Sequence, residues 1–357
     1  MDMAKPKIRF KGYQEDWEQR KLSDVVDSVD TGKSRFDKEG SSGKYPILGS
    51  TSVIGYDDEY DYEGDFILTA RVGANAGGLY RHAGKVKISD NTVFIQASQN
   101  IEFLYQLLIQ FDIKKLSFGT GQPLVKASEL KSLELMMPTD MKEQMRIGVY
   151  FKKLDHLITL HQRKCDETKK LKKYMLQKMF PQNGKKVPEL RFSKFTDDWE
   201  QRKFEDVVNI GSGMDYKHLG EGAIPVYGTG GYMLSVDKAL SDDKDAIGIG
   251  RKGTIDKPYI LRAPFWTVDT LFYCIPKENY DLDFTSCLFQ NVDWKKKDES
   301  TGVPSLSKVI INNVETATPI FDEQKKIGDY FRSLDHLITL HQRKYEELQK
   351  VKKFMLQ

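Results

Sequence analysis

An eleven-residue string, LDHLITLHQRK, occurs twice in this sequence without a single difference, at residues 154–164 and 334–344. A second block, DWEQRK, begins at Asp16 and again at Asp198. Shorter pairs recur at matching distances: Arg9-Phe10 with Arg191-Phe192, Glu143-Gln144 with Glu323-Gln324, and Ile147-Gly148 with Ile327-Gly328. The chain is therefore a tandem duplication of a unit of about 180 residues, which is long enough for one domain and a connector.

The identical string lies in a segment with helical periodicity. Apolar or tolerated residues recur at spacings of four and three, at Ile147, Phe151, Leu154, Ile158, His161, Cys165 and Thr168. This pattern predicts a helix over residues 140–180, roughly 60 Å long, with a seam of coiled-coil type. Its apolar stripe needs a partner, and its duplicate at 322–357 is the obvious one. Antiparallel pairing would place the segments that precede the two helices at opposite ends of the rod.

The segments before the two helices predict compact mixed lobes. In the first lobe, strand-like runs separated by Gly and Asp precede a helix at 101–111. Residues 1–21 are expected to be irregular, and residues 22–29 are expected to form a short helix capped by Ser23. The strand run 79–88 is expected to contain a turn near Gly84. The framework recurs in the second lobe: residues 45–49 match 224–228, 71–73 match 251–253, 90–92 match 268–270, and 120–123 match 301–304.

The expected fold class is α+β, with two mixed α/β lobes that are each followed by a long helix. The two helices are expected to form an antiparallel coiled coil with pseudo-two-fold symmetry. The expected domains are 1–139 for the first lobe, 140–186 for a central helical spacer and linker, 187–321 for the second lobe, and 322–357 for a C-terminal helical spacer.

Composition narrows the class of protein. Of the residues, 39% are hydrophobic and 30% are charged, as in globular proteins that fold in water. The first residues lack the apolar core of a signal peptide and no apolar run could span a bilayer, so we expect a cytoplasmic protein. Three scattered cysteines argue against a disulfide framework and a cysteine-based zinc site. Residues 140–186 carry 13 basic and 5 acidic side chains, whereas both lobes are net acidic, so the connector suits an acidic partner.

Motifs for nucleotide chemistry are missing from the sequence. Gly32-Lys33-Ser34 has the tail of a phosphate-binding loop, but the glycine required upstream is Asp27. No Pro-Pro pair exists, which removes the signature of adenine methyltransferases, and the glycines of residues 73–78 do not form a dinucleotide fingerprint. His156 and His161 are about 140° apart on a helix, so we expect no metal site there. His161 and its counterpart His341 are instead predicted to be polar members of the seam that help fix its register.

Two diverged lobes, each followed by a near-identical long helix, with DWEQRK at each lobe entrance, resemble the specificity subunit of type I restriction-modification systems. The resemblance covers essentially the whole chain. It implies that each lobe is a target recognition domain reading one half of a split sequence of double-stranded DNA. It also implies that the helices are a spacer and a docking surface for two modification (methyltransferase) subunits, with restriction subunits joining the full complex. The chain itself would be non-catalytic and without a cofactor; S-adenosylmethionine would belong to the modification subunit, and ATP with Mg to the restriction subunit.

Basic and amide side chains beside Gly-rich turns are the predicted DNA contacts. Arg and Lys serve phosphates or guanine edges, and Asn and Gln pair with adenine edges. The set is Lys33, Arg35, Arg71, Asn75, Arg81, Gln122, Lys217, His218, Arg251, Lys252, Arg262 and Thr301. Because both lobes are net acidic, we expect weak DNA binding by this chain alone.

Apolar residues of the repeated string are the predicted contacts with partner subunits, with pairing of the two helices as their alternative role. They are Leu154, Leu157, Ile158, Leu334, Leu337 and Ile338. Trp17 and Trp199 are predicted to pack each lobe onto its helix.

Two other function classes stay open. The chain could be a scaffold whose lobes bind proteins or another polymer, in which case exchanging a lobe would leave DNA sequence preference unchanged. It could also be an enzyme that uses the repeated His and Asp residues. That class predicts that His161→Ala abolishes a reaction of the isolated chain, and the poor facial alignment of the histidines counts against it.

Overall fold

A computed structural model describes residues 6, 8–35, 42–116, 123–182, 184–298 and 300–356. The chain divides into two compact units, one formed by residues 1–161 with 344–357 and the other by residues 162–343. The division passes through both long helices, so each unit contains one lobe and a part of each helix. No helix in the described ranges has the length and apolar character that a bilayer crossing requires.

Unit 1 contains a six-stranded sheet. The strands of unit 1 as a whole are β1 (Glu18–Lys21), β2 (Ser28–Thr31), β3 (Tyr45–Leu48), β4 (Val53–Asp57), β5 (Tyr62–Ala70), β6 (Leu79–Ile88), β7 (Thr92–Gln96) and β8 (Glu134–Met137). Its helices are α1 (Ile101–Phe111), α2 (Ala127–Lys131) and the first part of α3 (Met141–Lys178). The sheet has the order β2-β7-β5-β6-β3-β4, and β1 pairs with β8 in a separate ribbon.

The sheet of unit 1 is covered on both faces. Ile67 packs with the buried side of α1, where Leu104 and Leu108 lie four residues apart on one helical face. Phe66 and Leu68 point to the opposite face and join a second apolar cluster. Burial on both faces explains why this part of β5 is a continuous apolar run without alternation.

Three local predictions for this lobe were wrong. Residues 22–29 form only a single 3-10 turn, Leu22–Asp24, followed by β2, and Glu18–Lys21 is a strand. Val29 pairs with Ile95 and is buried, so sheet pairing overrides the local helical pattern. The predicted turn near Gly84 is absent because β6 continues through it, with Gly84 (φ +106°) directly opposite Gly64 (φ +149°).

Unit 2 repeats the plan with its strands divided among more sheets. The strands are β9 (Glu200–Lys203), β10 (Val208–Ser212), β11 (Glu221–Gly228), β12 (Gly231–Val236), β13 (Ala246–Gly250), β14 (Tyr259–Leu261), β15 (Trp266–Thr267), β16 (Leu271–Pro276) and β17 (Glu315–Thr318). The helices are α4 (Phe204–Val207), α5 (Leu282–Asn291), α6 (Lys308–Asn312) and α7 (Phe321–Met355). The sheets are β10-β16-β13-β14, β12-β11-β15 and β17-β9. The α+β class is confirmed.

Each unit brings parts of α3 and α7 into contact. In unit 1, Phe151 and Leu154 of α3 form a buried cluster with Leu348 of α7. The Lys352 ammonium lies 2.5 Å from a carboxylate oxygen of Asp155 in the same unit. These contacts supply a partner for the apolar stripe of the first part of α3.

Unit 2 pairs the other parts of the two helices. Cys165 Sγ donates to the Ile338 carbonyl oxygen at 3.8 Å, and Lys172 Nζ lies 2.7 Å from Asp335 Oδ1. Residue numbers fall along α7 as they rise along α3, so these segments run antiparallel. The regular side-chain interlocking of a coiled coil stays a prediction.

A buried ion pair ties the lead-in of each lobe to its long helix. Arg9 makes two hydrogen bonds to Glu143, at 2.6 and 2.7 Å, and Arg191 makes two to Glu323, at 2.7 and 2.8 Å. Both carboxylates are fully buried. The hydrogen bonds to these carboxylates raise the pKa of both arginines. The repeated Arg-Phe and Glu-Gln pairs of the sequence thus form one recurring joint.

The repeated glycines mark where a short helix touches a long one. A Cβ atom added at Gly148 would lie 2.7 Å from the backbone nitrogen of Phe103, at the start of α1. A Cβ atom added at Gly328 would lie 3.0 Å from the backbone nitrogen of Phe284, at the start of α5. At Gly148 the backbones approach too closely for a side chain, whereas at Gly328 the closest atom, 2.3 Å from the added Cβ, is the carboxylate oxygen of Asp281 that caps α5.

Candidate nucleic-acid interface

Three of the recurring framework segments meet at one turn in unit 1. The backbone nitrogen of Arg71 donates to the Asn91 carbonyl oxygen at 2.9 Å, and the Val125 nitrogen donates to the Arg71 carbonyl oxygen at 2.8 Å. Gly73, at a φ of +88°, donates to the Pro123 carbonyl oxygen at 3.0 Å. The Arg71 and Asn75 side chains are exposed beside this turn.

Unit 2 builds an equivalent turn with three equivalent hydrogen bonds, in which Thr270 takes the place of Asn91, one residue later than the sequence match of 90–92 with 268–270 gives. The Arg251 nitrogen donates to the Thr270 carbonyl oxygen at 2.8 Å, and the Leu306 nitrogen donates to the Arg251 carbonyl oxygen at 2.9 Å. Gly253, at a φ of +94°, donates to the Pro304 carbonyl oxygen at 2.8 Å. We call these equivalent structures, residues 71–73 and 251–253, the Arg-Gly turns.

A basic pocket of about 500 Å³ lies beside the Arg-Gly turn of unit 2. Arg251 and the Nζ of Lys308 each lie 5.9 Å from the Phe272 ring. The lining is Ser212, Arg251, Lys252, Phe272, Ser305, Leu306, Ser307 and Lys308. Cations next to hydroxyl groups are the donors that phosphate oxygens and base edges accept from.

The loop with Lys33 and Arg35 lies against the strand segment that supports the Arg-Gly turn of unit 1. The nitrogen of Ser34, between these two exposed residues, donates to the Ile88 carbonyl oxygen at 3.0 Å, and Asp90 donates back to Ser34 at 3.1 Å. The next residue after Asp90 is Asn91, whose carbonyl oxygen accepts the hydrogen bond from the Arg71 nitrogen. The structure therefore brings Lys33, Arg35 and Arg71 to one edge of the lobe.

The loop with Lys217 and His218 has the corresponding support in unit 2. Met214 donates from its nitrogen to the Thr267 carbonyl oxygen at 2.9 Å, and its own carbonyl oxygen accepts the Trp266 indole N–H at 2.9 Å. The exposed His218 ring packs edge-on against Trp266, with centroids 6.0 Å apart. The carbonyl oxygen of Thr270, three residues after Thr267, accepts the hydrogen bond from the Arg251 nitrogen.

Thr301 lies on a loop that is fastened by a carboxylate. Asp298 accepts hydrogen bonds from the nitrogens of Ser300 and Ser305, both at 3.0 Å. These N–H donors stabilise the charged form and lower the pKa of Asp298. Thr301 is exposed on this loop, close in sequence to the pocket residue Ser305. Gln122, the corresponding choice in the first lobe, lies outside the described residues.

Arg81 and Arg262 have different surroundings from the other predicted DNA contacts. Arg81 is half-buried, pairs with Glu102, and lies 4.3 Å from the centre of the Tyr105 ring. Glu102 also holds Lys152 of α3, with 2.7 Å between nitrogen and oxygen. The Arg81 side chain thus belongs to an ion cluster that reaches the long helix.

Arg262 belongs to the equivalent ion cluster of unit 2. It lies 2.6 Å from Asp245 and 3.9 Å from Asp283, and Asp283 pairs at 3.2 Å with Arg332 of α7. Burial raises the pKa of Asp283, and the charge of Arg332 opposes that shift. The structure therefore brings neither Arg81 nor Arg262 to an Arg-Gly turn.

Sequence reasoning identified Arg251 and Lys252 but missed the four other polar members of the basic pocket, namely Ser212, Ser305, Ser307 and Lys308. Ser305 directly follows a recognised framework segment, which could have identified it. Lys308 begins α6 and donates to the Ile210 carbonyl oxygen at 3.0 Å, a contact between distant parts of the chain that leaves no local signal.

The predicted partner-binding residues divide into inward and outward groups. Leu154 and Leu334 are buried, and Ile158 and Ile338 are half-buried. Leu157 and Leu337 are 40% and 41% exposed at equivalent positions of α3 and α7. Of the six predicted partner-binding residues, Leu157 and Leu337 are the two that are exposed. Within the described part of the chain, no group of three His, Cys, Asp or Glu side chains could hold a metal ion.

Two copies of one mixed lobe, each with a basic turn and each joined to a long helix, define a tandem-duplicated α+β protein with two similar candidate binding surfaces. The family described as type I restriction modification DNA specificity domain matches this chain twice, at residues 14–170 and 196–350. The chain belongs to this family, which confirms the resemblance seen in the sequence.

Relatives extend the match over nearly the whole chain. The MjaVIII specificity subunit of a type I restriction enzyme from Methanocaldococcus jannaschii is 24% identical over 396 residues, covering 95% of this chain and 91% of the relative. The putative MjaX specificity subunit of the same organism is 24% identical over 408 residues, with the same coverage. The crystal structure of the S subunit of a type I restriction-modification system from M. genitalium has the same fold, with a TM-score of 0.79, 18% identity, and 98% and 97% of the two chains covered.

Proposed function

We propose that this chain is the non-catalytic specificity subunit of a type I restriction-modification system and that it reads a DNA sequence in two separated parts. One observation carries the proposal: the Arg-Gly turn has the same backbone hydrogen bonds in both lobes but carries different side chains. Val72 in the first turn corresponds to Lys252 in the second. Two like supports with unlike exposed groups suit two unlike short targets.

The charge of the lobes supports an assembly in which partner subunits contribute part of the contacts with DNA. The lobes are net acidic although their turns are basic, so base contacts can select a sequence while phosphate neutralisation stays weak. Basic partner subunits that close around the duplex would supply the missing affinity. A tight and specific complex of the isolated chain with DNA would contradict this part of the proposal.

The long helices are proposed to set the separation of the two half-sites and to recruit two methyltransferase subunits. Helix α3 has 38 residues, about 57 Å at 1.5 Å each. Leu157 and Leu337 offer equivalent exposed apolar contacts, which suits one modification subunit at each. Modification subunits would bring S-adenosylmethionine, restriction subunits would bring ATP with Mg, and this chain would need no cofactor.

The test is single-molecule sequencing of DNA from cells that express this chain together with a compatible modification subunit. Cells that lack the chain are the matched control. A methylated adenine motif in two separated parts, present only with the chain, is the expected result. Unchanged methylation despite a demonstrated complex of the two proteins would contradict the proposal and favour a scaffold whose lobes bind another polymer.

A further inference from the structure

The basic pocket of unit 2 contains a lysine that the fold holds in place. Lys308 is half-buried, and its Nζ donates to the Ile210 carbonyl oxygen at 3.0 Å. The same Nζ lies 5.9 Å from the ring of Phe272, which is only 3% exposed and closes the pocket below. A lysine that is already ordered loses less side-chain freedom when it binds a ligand than a fully exposed one does.

The Arg-Gly turn brings a second lysine to the same pocket. The backbone of Lys252 forms an isolated β-bridge with Ser305, and its nitrogen donates to the Thr270 carbonyl oxygen at 3.3 Å. The main chain of Lys252 is therefore fixed while its side chain lines the pocket. Among the lining residues that the structure describes, the polar groups are cations and serine hydroxyls, without a carboxylate.

This set of donors fits a phosphate group better than the edge of a base. A guanine offers two acceptors in the major groove, and the other bases offer fewer acceptors or add a donor. The two ammonium groups and the serine hydroxyls together offer more donors than a base edge accepts. The anionic oxygens of a backbone phosphate each accept several charge-assisted hydrogen bonds.

The equivalent place in unit 1 has apolar residues where these two lysines stand. Val72 forms the isolated β-bridge of unit 1 that corresponds to the bridge of Lys252. Helix α2 begins at Ala127, as the equivalent helix α6 begins at Lys308. The neighbouring Lys126 pairs with an acidic side chain of α2, with 3.5 Å between nitrogen and oxygen. The two lobes therefore differ here in charge although their backbones match.

We propose that the pocket of unit 2 anchors one backbone phosphate of the target DNA through Lys308 and Lys252, and that Val72 and Ala127 make the equivalent place of the first lobe unfit for this role. The inference rests on the proposed DNA-reading function. The anchor fixes the position of the duplex on the second lobe, and Arg251 beside it stays available for a base edge. Because a phosphate contact carries no direct sequence information, the anchor strengthens binding to every sequence.

The test is DNA binding by the complex of this chain with its modification subunit, measured by fluorescence anisotropy over a series of salt concentrations. Each phosphate contact adds about 0.9 to the slope of log affinity against log salt concentration. Lys308→Met removes the charge but keeps an apolar stem over the Phe272 ring. This variant should lower the slope by about 0.9 and the affinity roughly tenfold, and Lys308→Arg should restore most of both.

A second variant and a control accompany this measurement. Lys252→Met should lower the slope by a similar amount, and it decides the question if Lys308→Met does not fold, because the Lys252 side chain is exposed. Lys296→Ala should leave the slope unchanged, since Lys296 is 83% exposed and is not among the lining residues.

A phosphate anchor should act equally on all DNA sequences. The Lys308→Met complex should lose the same factor in affinity on a duplex with the methylated motif and on one without it, and the motif itself should stay the same. A loss confined to the duplex with the motif would show a base contact and overturn the proposal. Saturable binding of inorganic phosphate that depends on Lys308, together with unchanged DNA affinity of Lys308→Met, would assign the pocket to free phosphate and also overturn it.

The outcomes separate this inference from the proposed function. A wild-type complex that methylates a two-part motif, combined with unchanged salt slopes for both Met variants, would overturn the anchor and leave the proposed function intact. A wild-type complex that methylates no two-part motif would contradict the proposed function, and the anchor would fall with it.

Discussion

At the scale of single residues, the Arg-Gly turns separate recognition from folding. Their main hydrogen bonds use the backbone nitrogen and carbonyl oxygen of Arg71 and Arg251, and the Arg251 guanidinium adds one long bond, at 3.4 Å, to the Asp269 carbonyl oxygen. The ion clusters of Arg81 and Arg262 have the opposite property, since their side chains join a lobe to a helix. Similar arginines in the sequence thus have different physical roles.

We predict that Arg251→Ala weakens DNA binding by the assembled complex without unfolding the chain. The expected loss is about 1–3 kcal/mol, as for one good contact to a base edge. Fluorescence anisotropy with a duplex containing the methylated motif measures the affinity, and thermal unfolding checks the fold. Lys296→Ala is the control, because Lys296 is 83% exposed and pairs with nearby Asp293. Equal losses for the two variants would refute a specific role for Arg251.

The buried joint between lead-in and helix gives a stability prediction. Arg191→Met should destabilise the chain by about 3–5 kcal/mol, because it leaves the buried carboxylate of Glu323 without its partner. Urea unfolding followed by tryptophan fluorescence measures the change. The double variant Arg191→Met, Glu323→Met should recover most of the loss, since no unpaired charge stays buried. A double variant as unstable as the single one would contradict this explanation.

At the scale of elements, each of the two long helices buries one apolar stripe and also exposes some apolar side chains to solvent. Leu154 and Leu334 are buried within their units, whereas Leu157 and Leu337 stay exposed three residues later. Three residues at about 100° each place Leu157 about 60° around the helix from Leu154, at the edge of the buried stripe. One repeated string can therefore serve internal packing and partner binding with different residues.

We predict that Leu337→Glu lowers the affinity for the modification subunit and leaves folding intact. A charge placed at the centre of an apolar contact remains unpaired on binding, so a loss of at least roughly tenfold is expected. Leu334→Ala is the matched variant and should instead cost about 2–5 kcal/mol of stability, because it removes buried volume. Pull-down and calorimetry with the modification subunit distinguish the two effects. Unchanged association of Leu337→Glu would remove this residue from the proposed surface.

The glycine in α3 allows a test of close backbone packing. Gly148→Ala would gain about 1 kcal/mol from helix propensity alone. We nevertheless predict a net loss of stability, because the new Cβ would meet the Phe103 backbone nitrogen at 2.7 Å. Thermal unfolding measures the sign, and Thr339→Ala at an exposed site of α7 should show no comparable loss. A stabilised Gly148→Ala chain would show that α1 can move away at little cost.

At the scale of the whole molecule, duplication gives two supports that can change independently. Near-identical helices keep the joints constant, while the exposed groups of the lobes differ. The same arrangement would allow lobes to be exchanged by recombination, an expectation that sequencing a population for shuffled lobes can check.

We predict that replacing residues 187–321 by the corresponding lobe of another family member changes one part of the methylated motif and leaves the other part and the spacing unchanged. The reason is that each Arg-Gly turn is built entirely within its own unit. Methylation sequencing of cells that express the exchanged chain gives the answer. Simultaneous change of both parts would contradict independent reading.

The sequence by itself determined the duplication, the long helices and most of the framework. Helix periodicity is a local property, so α1 was predicted at its observed bounds and α3 to within two residues of each end. The recurring triplets also marked the segments that meet at the Arg-Gly turns. Local patterns sufficed here because each was repeated in two independent copies.

Only the tertiary structure decided which of the basic side chains are exposed beside the turns and which join ion clusters with the long helices. Arg81 and Arg262 look like Arg71 and Arg251 in the sequence, but their acidic partners lie about twenty residues away along the chain. The strand pairing of Val29 was equally invisible locally. Long-range contacts also decided that Phe180 fills the aromatic core of unit 2, because packing depends on which distant side chains converge.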